Sequence, residues 1–209
     1  GKLTNELDEV ISEYCKKYPD IFSIIELNKN MGLGPALATG IIKCKNELVA
    51  RMDSDDYSVP ERCEKQLKQF EEDEELDIIG SDQAEFIDNI NNVISYKKFP
   101  YEDDKIKKYA RRRNPFSHSV VMFKKSIVLQ AGNYREYYLC EDYDLWVRMI
   151  ENNAVCRNIN ETLNYVRISE DLYKRRGGIK YLRTIMKFKR EMYEKGFYTL
   201  NDYIISAGS

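Results

Sequence analysis

Apolar residues recur at helical spacing over residues 4–18, where Leu7, Val10, Ile11, Tyr14 and Tyr18 fall on one face. Glu6, Asp8 and Glu9 suit the positive end of that helix, and Pro19-Asp20 ends it. Ile21 to Leu27 is a β-branched, apolar run, which predicts a strand buried on both faces. Asn28 to Gly34 is a polar, glycine-containing loop. Pro35 opens a helix that continues to Lys45. Leu48 to Met52 predicts a second short buried strand, running straight into Asp53-Ser54-Asp55-Asp56. Pro60 opens the next helix, with Cys63, Leu67 and Phe70 on one face, and Ile78-Ile79-Gly80-Ser81 is a third core strand. Strand and helix alternate, which predicts a mostly parallel sheet covered by helices.

The pattern then changes. Residues 84–99 read as two strands about a polar turn, 102–112 as a charged helix, and Val120 to Phe123 as a strand. A short helix over 124–131 stops at Gly132. A helix over 142–152, a strand over Leu163 to Arg167 and a last helix over 178–196 complete the chain. No repeat and no Gly/Ser-rich linker divides it, so one domain is expected over residues 1–209. Within it, residues 1–82 form a nucleotide- and metal-binding half, 83–168 an acceptor and catalytic half, and 169–209 a C-terminal loop and helix.

The chain has 209 residues, of which 43% are hydrophobic and 33% charged, enough to bury a core without staples. Lys and Arg number 33 against 35 Asp and Glu, a formal net charge of −2 that gives no general attraction to nucleic acid. Five widely spaced cysteines form no CxxC pair, so reduced, mostly buried thiols are expected rather than a zinc site or a disulfide framework. No apolar run reaches the roughly 18 residues needed to cross a bilayer. No apolar stretch follows the first residues, so no signal peptide is read.

Asp53, Asp55 and Asp56 stand where a buried strand ends, and ligands of open α/β sheets gather beyond such ends. Three carboxylates in four residues repel one another unless a cation compensates. Hard divalent ions take such oxygen ligands and keep positions open for water and phosphate. A Mg²⁺ or Mn²⁺ site presenting the metal to a diphosphate is therefore expected, against the alternative of a helix cap with solvated neighbours. An EF-hand loop is excluded, because Ser58 holds the position that needs glycine and Pro60 starts a helix inside the loop.

The stretches Asn28 to Leu37, Ala50 to Asp56 and Pro60-Glu61-Arg62 resemble the inverting family 2 glycosyltransferases of the GT-A fold. Asn114 to Met122 is similar to that family's central motif. Gly132-Asn133-Tyr134 and Cys140 to Arg148 are similar to its later, catalytic-helix motif. The resemblance implies an α/β, nucleotide-diphospho-sugar transferase fold. It implies transfer of a sugar from a nucleotide-diphospho-sugar to a polysaccharide or lipid-linked acceptor hydroxyl in cell-surface polysaccharide biosynthesis. A cytoplasmic protein, with peripheral contact at the inner face of the membrane, goes with that role. By resemblance, Asp55 binds the Mn²⁺ or Mg²⁺ that bridges the donor diphosphate, and Asp53 contacts the ribose or the metal. Asp142 is the general base, and Glu141 raises its pKa or orients the acceptor. Without the resemblance, Glu141-Asp142 reads as a helix N-terminal cap.

Asn30, Gly32, Asp56, Arg62, His118 and Trp146 are then expected around the donor or acceptor. His118 alternatively packs without a ligand, and Trp146 alternatively anchors the core of its helix. Lys174, Arg175 and Arg176 before two glycines read as a diphosphate clamp or as a solvated basic run. Many members of that family carry a histidine nearby that completes the metal shell; this sequence has none there, and Glu170, Asp171 or a water is expected in its place. Arg111-Arg112-Arg113 reads as a solvated helix end or as a contact for anionic lipid or a lipid-linked diphosphate. Relative to the family pattern, the N-terminal strand–helix–strand is expected to be absent. That leaves an exposed sheet edge, weak nucleotide-sugar binding and a tendency to form homo-oligomers. A nucleotidyltransferase on a related sheet and a non-catalytic sugar-binding domain remain the alternative functions.

Overall fold

The computed structural model describes residues 3–169 and 178–207. In chain order its elements are α1 (Asn5–Lys17), α2 (Leu33–Lys43), β1 (Leu48–Ala50), β2 (Tyr57–Ser58), α3 (Arg62–Glu72), β3 (Leu76–Phe86), β4 (Val93–Lys97) and α4 (Asp103–Tyr109). A 3₁₀ turn (His118–Val120) follows, then β5 (Met122–Lys124), α5 (Lys125–Gln130), α6 (Glu141–Glu151), β6 (Val155–Arg167), α7 (Ile179–Glu194) and α8 (Leu200–Ala207). The strands form one sheet in the order β1-β5-β3-β6-β2, with β4 paired to β3.

The α/β class matches the expectation from sequence, but the sheet is mixed rather than mostly parallel. Among the described residues only β3 and β6 pair in parallel. β1, β3 and β6 do run in one direction. The later strand β5 inserts antiparallel between β1 and β3, and strand–helix alternation along the chain carries no trace of that insertion.

β3 is buried along all eleven residues. Its first half packs Leu76 and Ile79 against Met122, and Ile78 into the larger cluster around Phe116, Phe123 and Trp146. Its second half is polar yet equally buried, because neighbours satisfy every carboxylate. Asp82 accepts from the Phe99 amide at 3.0 Å and from the Tyr101 hydroxyl at 3.2 Å. Glu85 accepts from Ser95 Oγ at 2.6 Å and pairs with Lys97. These bonds explain why β3 is longer than its apolar stretch.

Three further expectations fail. Ile21 to Leu27 is irregular and exposed, from 36% at Leu27 to 74% at Ile21, rather than a buried strand. Its backbone has no neighbouring strand among the described residues, and a strand without a partner leaves its amides unpaired. α1 likewise buries no residue, although Tyr14 packs on Phe22 with ring centroids 6.2 Å apart. On α3 the buried face is Arg62, Gln66 and Phe70, while Cys63 and Leu67 point outward. All five cysteines are free, with Cys140 and Cys156 buried, Cys15 and Cys44 half-buried and Cys63 exposed, so burial is less general than expected.

α2 starts at a close contact. A Cβ on Gly34 would lie 2.0 Å from the Arg135 carbonyl oxygen, so only glycine lets the helix meet the 132–135 turn. Asn133 Nδ2 donates to the Ala38 carbonyl at 3.0 Å across the same contact. No helix among the described residues is long and apolar enough to cross a membrane.

Candidate active site

The site is built where β1, the 3₁₀ turn and the first turn of α6 meet. Residues two apart on an extended chain share a face. Beyond β1 that places Arg51 beside Asp53, and the guanidinium donates to both carboxylate oxygens at 2.6 Å. Arg62, 2% exposed, lies beneath and donates to the Arg51 carbonyl at 2.6 Å and to the Ser119 and Val121 carbonyls at 3.3 Å. Gln66 donates to the Val120 carbonyl at 2.7 Å. The two residues fasten the loop carrying Asp53 to the segment carrying His118.

Asp142 lies in the first turn of α6, where the helix dipole favours negative charge. Its Oδ2 accepts from Asn114 Nδ2 at 2.7 Å, which ties α6 to the segment after α4. Glu141 beside it is 5% exposed. Burial first, and the Asp142 charge second, push its carboxyl up to about 7. His118 bonds through Nε2 to the Tyr134 hydroxyl at 3.0 Å, with the Trp146 ring 6.0 Å away. Burial, and next the Arg51 guanidinium, push His118 down to about 3, against the pull of Asp53. The imidazole is neutral at physiological pH.

Asp53, Asn114, His118 and Asp142 line one cavity of about 490 Å³, together with Arg113 and Phe116. Asp142, Asn114 and Arg113 also line a second cavity, of about 580 Å³, toward α7. A carboxylate held by an amide at the junction of two cavities is placed to accept a proton from a ligand in either.

Other expected residues fall elsewhere. Trp146 is 1% exposed, so it anchors the core and is no sugar platform. Arg62 spends its guanidinium on carbonyls rather than on a ligand. Asp56 is half-buried, and its two oxygens accept from Asn164 Nδ2 at 3.3 Å and from the Arg167 amide at 3.1 Å, tying the loop to β6. Burial raises its pKa, offset by the Ser119 hydroxyl and these bonds. Asn30 and Gly32 are exposed before α2, where the Asn30 Oδ1 accepts from the Gly32 amide at 3.0 Å; they line neither cavity. Glu170, Asp171, Lys174, Arg175 and Arg176 lie outside the described residues. Arg51, Gln66, Asn114 and Tyr134 were not singled out from sequence. Arg51 carried a signal in its two-residue spacing from Asp53 at a strand end, and Asn114 and Tyr134 lie within the motifs of the family resemblance, whereas Gln66 carried none.

Among the described residues no three His, Cys, Asp or Glu side chains converge as a cation cage. Mg²⁺-type ions nonetheless bind through one or two carboxylates, waters and substrate phosphates. The donor set fits that mode. Asp55 is exposed with no cationic partner among the described residues, and Asp53 remains 44% exposed beside Arg51.

The family model described as "Glycosyl transferase family 2" matches residues 1–132. The chain is 37% identical to an Escherichia coli UDP-Gal:alpha-D-GlcNAc-diphosphoundecaprenol beta-1,3-galactosyltransferase, covering 99% of this chain and 74% of the relative. It is 33% identical to the amylovoran biosynthesis glycosyltransferase AmsE of Erwinia amylovora, covering 94% and 74%. Among solved structures, a Pyrobaculum calidifontis mannosyltransferase in complex with GDP-Man and Mn²⁺ superposes with a TM-score of 0.66 at 11% identity, over 97% of this chain and 56% of that one. S. aureus TarS in complex with UDP-GlcNAc gives 0.64 at 13% identity, over 90% and 54%. The chain thus spans little more than half the length of these solved proteins, and the likeness to them is one of fold.

Proposed function

The chain belongs to glycosyl transferase family 2, and from that premise we propose that it moves a sugar from a nucleoside-diphosphate sugar to an acceptor hydroxyl, with inversion and with a divalent cation. The observation that carries the reading is that Asp142 stands at the junction of two cavities, one of which it shares with Asp53. The donor occupies the cavity lined by Asp53 and His118. The acceptor enters from the cavity toward α7. The name of one relative supports the lipid-linked acceptor class, a diphosphoundecaprenol-linked sugar.

The chemistry is a single displacement. The Asp142 carboxylate takes the proton of the acceptor hydroxyl as that oxygen attacks the anomeric carbon. The bond from that carbon to the diphosphate oxygen breaks, and the nucleoside diphosphate leaves. Asn114 fixes the Asp142 side chain, so the base is oriented before substrate arrives. Neutral His118, held by Tyr134, lines the donor cavity without adding a positive charge. When bound at Asp55 and Asp53, Mn²⁺ or Mg²⁺ supplies charge neutralisation for the leaving diphosphate.

The test is Asp142→Asn, assayed for transfer with a panel of nucleotide sugars and Mn²⁺. The expected result is a fall in kcat of about 10²–10⁴-fold with donor binding retained. A variant keeping a tenth or more of the rate contradicts the assignment.

A further inference from the structure

The acidic loop after β1 is gripped by a guanidinium at each end. Arg62 holds the Arg51 carbonyl, and Arg167, the last residue of β6, holds the far end. Arg167 Nε donates to the Asp55 carbonyl at 3.1 Å, and the Arg167 amide donates to Asp56 Oδ1 at 3.1 Å. Its Nη1 donates to the Asp88 carbonyl at 2.7 Å, in the turn after β3 where Asp88 has φ +57°. The guanidinium carbon stands 4.6 Å from the centroid of Phe86, which pairs with Arg167 in the β3–β6 register. Holding an exposed arginine still costs side-chain entropy, and here a ring face and two carbonyls hold it.

The three carboxylates of the loop are treated differently. Asp53 receives both donors of Arg51, and Asp56 receives the Asn164 side chain and the Arg167 amide. Asp55 is held by its main chain, and its side chain is exposed. Resting on the reading above that Asp55 and Asp53 take a divalent cation, we infer that Arg167 is a positioning residue for that cation: it fixes the Asp55 main chain, so the carboxylate is presented from a rigid loop. One bond lands on the Asp55 carbonyl and the other on the Asp56 carboxylate, so the peptide joining the two residues is pinned from both sides. Groups behind a metal ligand set affinity by orienting it. Charge acts in the opposite sense, because a guanidinium near a cation repels it. Replacing Arg167 therefore sets position against charge, with opposite signs. A lysine keeps the charge but has one nitrogen, which cannot reach the Asp55 and Asp88 carbonyls as the fork does.

The experiment titrates the protein with Mn²⁺ alone and reads the free ion by its electron paramagnetic resonance signal, in the wild type, Asp55→Asn, Arg167→Gln and Arg167→Lys. Asp55→Asn is expected to lose the site. Both Arg167 variants are expected to bind Mn²⁺ about 10–100-fold more weakly. In nucleotide-sugar hydrolysis the same variants are expected to need correspondingly more Mn²⁺ for half-maximal rate, while the rate at saturating Mn²⁺ falls by a smaller factor. Wild-type affinity in both variants overturns the inference. So does tighter binding in Arg167→Gln with no change in Arg167→Lys, because charge alone then explains the result. Mn²⁺ binding that is absent from the wild type, or that survives Asp55→Asn, takes down the ligand assignment under the proposed function and this inference with it. Binding lost in Asp55→Asn but untouched in the Arg167 variants takes down this inference alone.

Discussion

Replacing Glu141 by glutamine isolates a charge that the fold disfavours. Glu141 is 5% exposed, and burial with the adjacent Asp142 carries its carboxyl from an ordinary 4.5 to about 7. A native pKa above the unfolded one means that the folded state binds the proton more tightly. The contribution to stability is therefore complete below the unfolded pKa and disappears as pH rises through the folded one. At 1.36 kcal/mol per pH unit, the interval from 4.5 to about 7 is worth about 3 kcal/mol. Glutamine mimics the protonated acid and keeps an oxygen for the Cys140 amide, which Glu141 Oε2 accepts at 3.1 Å. Urea unfolding followed from about pH 4 to about pH 9 reads the difference. Glu141→Gln is expected to match the wild type at the acid end and to exceed it by about 3 kcal/mol at the alkaline end. Asp142→Asn removes the second cause of the shift, so the gap is expected to narrow in that background. A gap that does not change with pH refutes the reasoning.

The Asp144–Arg148 pair spans one turn of α6 at 1% and 5% exposure, with Nη2 and Oδ2 2.7 Å apart. Arg148→Met strands a carboxylate whose Oδ1 already has no partner among the described residues, and is expected to cost about 3–5 kcal/mol in urea unfolding. The double replacement Asp144→Leu with Arg148→Met is expected to cost less than the single one; equal costs would count against the pair. Gly34→Ala pushes a methyl group to 2.0 Å from the Arg135 carbonyl oxygen and is expected to lower stability by about 1–3 kcal/mol, seen as a lower Tm. An unchanged Tm contradicts the close contact.

Elements with a clear period were legible in the sequence. The 178–196 pattern became α7, and the Gly132 stop became a turn with φ +87° held by Arg148 donating to the Asn133 carbonyl at 2.8 Å. Strand partnership was not legible. Ile21 to Leu27 has the composition of a core strand, yet composition describes what a strand would bury and not whether a neighbour is there to pair with it. β3 failed in the opposite direction, since Asp82 and Glu85 look like surface residues until Tyr101, Ser95 and Lys97 are folded onto them. In both cases the deciding information sits in distant residues.

The site follows the same logic. Asp53 stands out because clustered carboxylates at a strand end need a reason, whereas Asp142 is picked out by the family resemblance and by position alone reads as a helix cap. Their supports do not stand out, because a buried polar side chain that serves main-chain carbonyls leaves no apolar signature. Arg62 is the sharpest case. Burial lowers its pKa, and no carboxylate pairs with it among the described residues. What keeps the charge in place is a set of oxygens on three segments, the carbonyls of Arg51, Ser119 and Val121 and the Gln66 side chain, which accepts from Nε at 3.1 Å. A lysine has donors on one nitrogen only and cannot span that arc. The guanidinium fork therefore sets the spacing between the loop that bears Asp53 and the turn that bears His118. An arginine that follows a metal-type motif thus reaches the substrate only through the backbone that it holds.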